Sequence, residues 1–126
     1  MMTPETILNA TVGVLERRGR VTGRFETPDG EVDQLGALAI AAGEQPRVWL
    51  SIRILDYEAL DPCLRLLVDA ARILAEVEAP LCRPEDLPLH RLVMLLGDSN
   101  DVATDAEVFD FLVRAADAAA GVGAAS

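Results

Sequence analysis

The side chains able to do chemistry in this chain are few and widely spaced. His90 is the only histidine, and Cys63 and Cys82 are the only cysteines. Cys63 follows Asp61-Pro62, a helix-opening pair, so it falls in a first turn where the helix dipole favours a thiolate. His90 is its only available imidazole base, and the two belong to separate predicted helices. A working thiol nucleophile also needs a group that orients the base and donors for an oxyanion. No residue at suitable spacing supplies either, so Cys63 reads as a small packed hydrophobe and His90 as part of a polar helix face. No catalytic residue is assigned, and the chain reads as a non-enzyme. With Trp49 and Tyr57, these two residues are the candidates for lining a small-ligand pocket.

Metal chemistry is excluded on spacing. One His and two isolated Cys make neither a CxxC pair nor an HExxH helix. Asp98-Ser99-Asn100-Asp101 opens like a calcium loop, but counting from Asp98 the sixth position is Ala103 and the twelfth is Phe109. A calcium loop requires Gly and Glu there. No metal and no cofactor is expected. Asn100 and Asp101 are instead expected to form a turn leading to a helix cap at Thr104.

Charge is the other chemical feature. The formal net charge is −10, and all 11 basic residues are Arg. Residues 1–55 hold six Arg against seven acids, whereas residues 56–126 hold five Arg against fourteen. So negative a surface disfavours direct contact with nucleic acid or anionic membranes. It suits either solubility or a basic protein partner, with Asp98, Asp101, Asp105 and Asp110 as candidate contacts. The one basic concentration, Arg17, Arg18, Arg20 and Arg24, is read as helix-dipole complement and local ion pairs. Two cysteines make no disulfide framework. The Met-Met-Thr-Pro-Glu start has no secretory pattern, and apolar stretches such as Leu92–Leu96 fall far short of a membrane span. A cytoplasmic protein is expected.

These groups must be held by elements built mainly from Leu, Val, Ile and Ala, since there are only one Trp, one Tyr and three Phe. Thr3 caps and Pro4 opens a first helix, whose inner stripe is Ile7, Leu8, Thr11, Val14 and Leu15. Arg17, Arg18 and Gly19 close it. A β-hairpin is predicted next: residues 21–26 and 31–35 flank Thr27-Pro28-Asp29-Gly30, a turn with Pro preset and Gly in a left-handed position. Leu35–Ala42 reads as a short apolar helix. In residues 46–55, Val48, Leu50, Ile52 and Ile54 alternate with Trp49, Ser51 and Arg53, which favours a strand, although the same residues can also begin a longer helix. Asp61 and Pro62 open a long helix to about Ala79 with Arg72 on its solvent face, spaced for pairs with Asp69 and Glu76. Asp86 is expected to cap a helix over Leu87–Leu96, ended by Gly97. Thr104 and Glu107 form a capping box for the last helix, with Val108, Phe111, Leu112, Ala115 and Ala119 inside.

The order of these features resembles a known family. Leu15-Glu16-Arg17-Arg18-Gly19, the Pro28-Asp29-Gly30 turn, Leu35-Gly36-Ala37-Leu38, and Asn100-Asp101 followed by Thr104-Asp105-Ala106-Glu107-Val108 are similar to domain-of-unknown-function family 6197 of actinobacteria and their phages. In that family a Trp precedes the Asn-Asp pair, where this chain has Ser99. The resemblance implies a bacterial or phage origin and assigns no activity.

The expected fold is α+β and mainly α, with four to five helices around one β-hairpin and room for one more strand. Residues 1–120 form a single domain and 121–126 a flexible tail. The leading functional expectation is a non-enzymatic protein-interaction or regulatory module that binds a protein partner or a second copy of itself. The alternatives are a ligand binder or enzyme with a pocket near the hairpin, and a DNA-mimic inhibitor presenting rows of carboxylates.

Overall fold

A computed structural model describes residues 1–125, and side chains through residue 121. The described residues form six α-helices: α1 (Pro4–Arg18), α2 (Gln34–Ala41), α3 (Val48–Ile52), α4 (Pro62–Glu78), α5 (Leu89–Val102) and α6 (Asp105–Ala125). Short 3-10 turns lie at Tyr57–Ala59, Pro80–Cys82 and Pro84–Asp86. α1 packs most extensively on α6 and α2, and α4 packs on α6, α1 and α5. Helix α6 runs through Ala125, and residue 126 of the expected tail lies outside the described residues.

Local capping chemistry explains most of the helix starts. Thr3 Oγ1 accepts the Thr6 N–H, and Thr6 Oγ1 accepts the Thr3 N–H in return, relieving two unsatisfied donors at the start of α1. Asp61 Oδ1 accepts the Leu64 N–H at 2.8 Å. The Thr104–Glu107 box is closed in both directions. The α1 stripe is buried as its spacing requires. On α4 the buried face is Leu67, Val68, Ala70, Ala71, Leu74 and Ala75.

The α+β expectation is overturned: among the described residues there is no strand and no hairpin ladder. The turn itself forms, with the Gly30 N–H donating to Thr27 O and Gly30 at φ +97. Beyond it the arms meet only at isolated bridges and build no ladder. Val32 makes two isolated bridges, one to Glu26 and one to Arg20, so residues 21–25 bow out between them. Gly23 at φ +80 breaks the extended arm. Polar groups on α5 take some of the backbone bonds that a ladder would use: Asn100 Nδ2 donates to Val21 O, and Asp101 Oδ1 accepts the Gly23 N–H.

The extra strand fails as well. Residues 48–52 are a single short helix that buries Trp49 and Ile52 together, at three-residue spacing, and turns Leu50 outward. Arg72 is not a surface pairing residue. Its Nη1 donates to Pro84 O and Leu87 O, fastening the loop between α4 and α5. α5 starts two residues later than expected, capped by Pro88, and runs through Gly97 to Val102. Asn100 and Asp101 therefore lie in its last turn and not in a loop.

A buried polar seam crosses this all-helical core. Asn100 Oδ1 accepts the Gln34 N–H, and Gln34 Nε2 donates to Leu96 O and to Glu78 Oε1. Burial raises the Glu78 carboxyl above its usual range, against the lowering effect of hydrogen bonds with Ser99 and Gln34.

Candidate functional site

α5 carries two faces with different tasks. Leu89, Leu92, Val93, Leu96 and Asn100 are buried in the core. Residues 90, 94, 97, 98 and 101 recur at three- and four-residue spacing, which sets them on a second stripe. That stripe forms one wall of a cleft of about 580 Å³, a size within the usual range for small-molecule sites. Gly97 leaves a notch in this wall, since a Cβ added there would meet nothing within 4 Å. The bowed segment Gly23–Phe25 forms a second wall, and Arg53 with Ile54, just past α3, forms a third.

Asp33 lies in the cleft lining although only 3% of its surface is exposed. It is the N-cap of α2, its Oδ1 accepting the Gly36 N–H at 2.7 Å, while its own N–H donates to Phe25 O. Burial pushes its carboxyl up to about 7; the charge of Asp101 adds to the rise and the Gly36 N–H opposes it. The close approach of Phe25 to α2 requires a glycine at 36, because a Cβ there would collide with Phe25 O and lie 3.2 Å from Val32 Cβ.

The candidate residues separate clearly on this framework. His90, Asp98 and Asp101 all line the cleft. Tyr57 lines a smaller adjoining pocket of about 200 Å³, which shares His90, Arg53 and Ile54 with the first. Its hydroxyl donates to Asp69 Oδ1 and its ring lies under the Arg65 guanidinium. Trp49 is fully buried, its Nε1 donating to Leu35 O at 2.6 Å, so it supports α3 and cannot touch a ligand. Cys63 is exposed on the first turn of α4 and lines neither pocket. Asp105 is bonded to Arg20, and Asp110 pairs with Arg114 at 3.1 Å. Among the described residues no three His, Cys, Asp or Glu side chains cluster as metal ligands would.

Several residues that build the site escaped the sequence reading. Asp33 was assigned to the second hairpin arm, yet its position three residues before Gly36 and at the head of an apolar run is a capping signal. Arg20 was grouped with its basic neighbours as a complement to α1. Its guanidinium instead donates to Asn100 O, Ala103 O and Asp105 Oδ1, joining the end of α5 to the start of α6. Met94 and Gly97 carried no local signal for a cleft, since only the placement of the other walls makes one.

The chain belongs to a family of unknown function, DUF6197, whose family model matches residues 1–118. No curated protein and no solved structure matches it. Among the described residues no helix is long and apolar enough to cross a membrane.

Proposed function

We propose that this protein is a small-ligand-binding module, without catalytic chemistry of its own, whose site is the cleft beside α5. One observation carries the reading: a concavity of ligand size combines exposed apolar side chains with a nearly buried carboxyl. Ile54 is 77% and Met94 57% exposed, and both line the same cleft as Asp33. Large apolar side chains left in water beside convergent polar groups are the usual composition of a small-molecule site. A binding role accords with the lining, which offers no Cys, Ser, Thr or Lys as a nucleophile, and with Asp33 being engaged as a helix cap.

The protein-docking alternative has weaker support. Of its four acids, Asp105 and Asp110 are committed to arginines, while Asp98 and Asp101 belong to the cleft. A DNA mimic needs rows of free carboxylates, whereas Glu85 and Asp86 are also paired, both with Arg83.

The test is a thermal-shift screen of the full chain against a metabolite library, repeated on Gly97→Phe. Binding to the native state raises the melting temperature by mass action. A Cβ at position 97 meets nothing within 4 Å, so the variant should fold with its ring in the notch, which its own cooperative melting transition checks. Compounds that stabilise the wild type should lose that effect in the variant. Undiminished stabilisation there would remove the cleft as the site.

A further inference from the structure

Resting on the cleft as the ligand site, we infer that its ligand is an amphipathic zwitterion: a free α-amino acid with a bulky apolar side chain. The supporting feature is the way charge is held in the cleft. Arg24 and Arg53 supply two guanidinium groups and Asp98 a carboxylate, yet among the described residues none of the three forms an ion pair or a side-chain hydrogen bond. All three are exposed, where an ion pair is worth little, so their charged groups stay available to a ligand. Here they stand on separate elements: the bowed loop, the residue after α3, and α5.

A ligand with only a positive charge would gain from Asp98 and Asp101 and be repelled by the two arginines. A ligand with only a negative charge would meet the reverse. A zwitterion answers both signs and carries no net charge. Its carboxylate suits a guanidinium, which forms charge-assisted and bidentate hydrogen bonds, and its ammonium suits Asp98. The exposed Ile54 and Met94 side chains then provide an apolar surface for its side chain to cover, a gain of roughly 25 cal/mol per Å² removed from water.

The experiment titrates the full chain, followed by ¹H–¹⁵N NMR, with three probes of one shape. These are L-phenylalanine, 2-phenylethylamine, which lacks the carboxylate, and 3-phenylpropionate, which lacks the ammonium. L-Phenylalanine should shift the amides of Gly23, Gly97 and Asp98 and bind roughly tenfold tighter than either analogue, the worth of one charge-assisted contact. Arg53→Gln should bring L-phenylalanine down toward the amine while the amine keeps or gains affinity; Asp98→Asn should bring L-phenylalanine down toward the acid. Equal or tighter binding of either single-charge analogue overturns the proposal, as does equal weakening of all three probes by one variant. If none of the probes binds at millimolar concentration, the zwitterion assignment is wrong. The cleft reading still stands in that case wherever library compounds stabilise the wild type and not Gly97→Phe.

Discussion

Asp33 shows how a single side chain can cap a helix and form part of a cleft at some cost to stability. Its carboxyl is raised from 3.8 to about 7, chiefly by burial, so the fold favours the protonated form. Its stabilising contribution is therefore complete below about pH 4 and lost as pH rises through about 7. At about 1.36 kcal/mol per unit the full swing is of the order of 4 kcal/mol. Asn keeps the cap, being an equally good N-cap residue, and does not titrate. Urea denaturation at about pH 5 and about pH 8 should show wild type losing stability relative to Asp33→Asn as pH rises; parallel profiles would refute the burial argument. Arg20, by contrast, has a role that is wholly tertiary. It is nine-tenths buried and donates to two carbonyls and one carboxylate. Arg20→Ala should cost about 2–4 kcal/mol in the same denaturation assay. Lys should not rescue it, since one ammonium cannot reproduce the planar fork.

At the scale of elements, the cleft exists because α2, α5 and the segment between α1 and α2 are locked in register. Two glycines on these helices provide opposite tests of that arrangement. Gly36 faces the backbone of the bowed segment, and an added Cβ would collide with Phe25 O. Gly36→Ala should therefore destabilise by about 1–3 kcal/mol, the usual cost of overpacking. Gly97 faces open space on the cleft wall. Gly97→Ala should stabilise by about 0.5–1 kcal/mol, because glycine is a poor helix residue. Denaturant midpoints measured side by side check both, and a destabilised Gly97→Ala would mean that position 97 is packed and the notch absent.

Over the whole molecule, the unbalanced charge sets the response to salt. Residues 56–126 carry fourteen acids against five arginines, while three of the four ion pairs in the described residues are exposed. Exposed pairs contribute little, whereas like-charge repulsion across an acidic surface opposes the compact state. Raising NaCl from about 0.05 to about 0.5 M shortens the screening length to a few ångströms. The melting temperature should therefore rise with salt at neutral pH, as calorimetry would show. A fall would mean that attractive pairs outweigh the repulsion.

The features legible in the sequence are those fixed by contacts within a few residues: the caps at Thr3, Asp61 and Thr104, the turn at Thr27–Gly30, and the inner stripe of α1. Such bonds close over three or four positions, so residue type and spacing suffice to specify them. The segment 46–55 was ambiguous for a related reason, because a run so short fits both periodicities. Burial of Trp49, which no local signal specifies, decided in favour of helix. The hairpin depended on distant residues. Its arm was diverted by Asn100 and Asp101, which bond to Val21 and Gly23 from nearly 80 positions away. His90 was a legible candidate, but its part in a cleft was settled only when α5, the bowed segment and the end of α3 came together. Residue order alone suffices for the caps, the inner stripe of α1 and the acidic balance. Tertiary structure alone decided which polar groups pair, which stay free, and where a concavity remains, because each of those outcomes depends on contacts between remote parts of the chain.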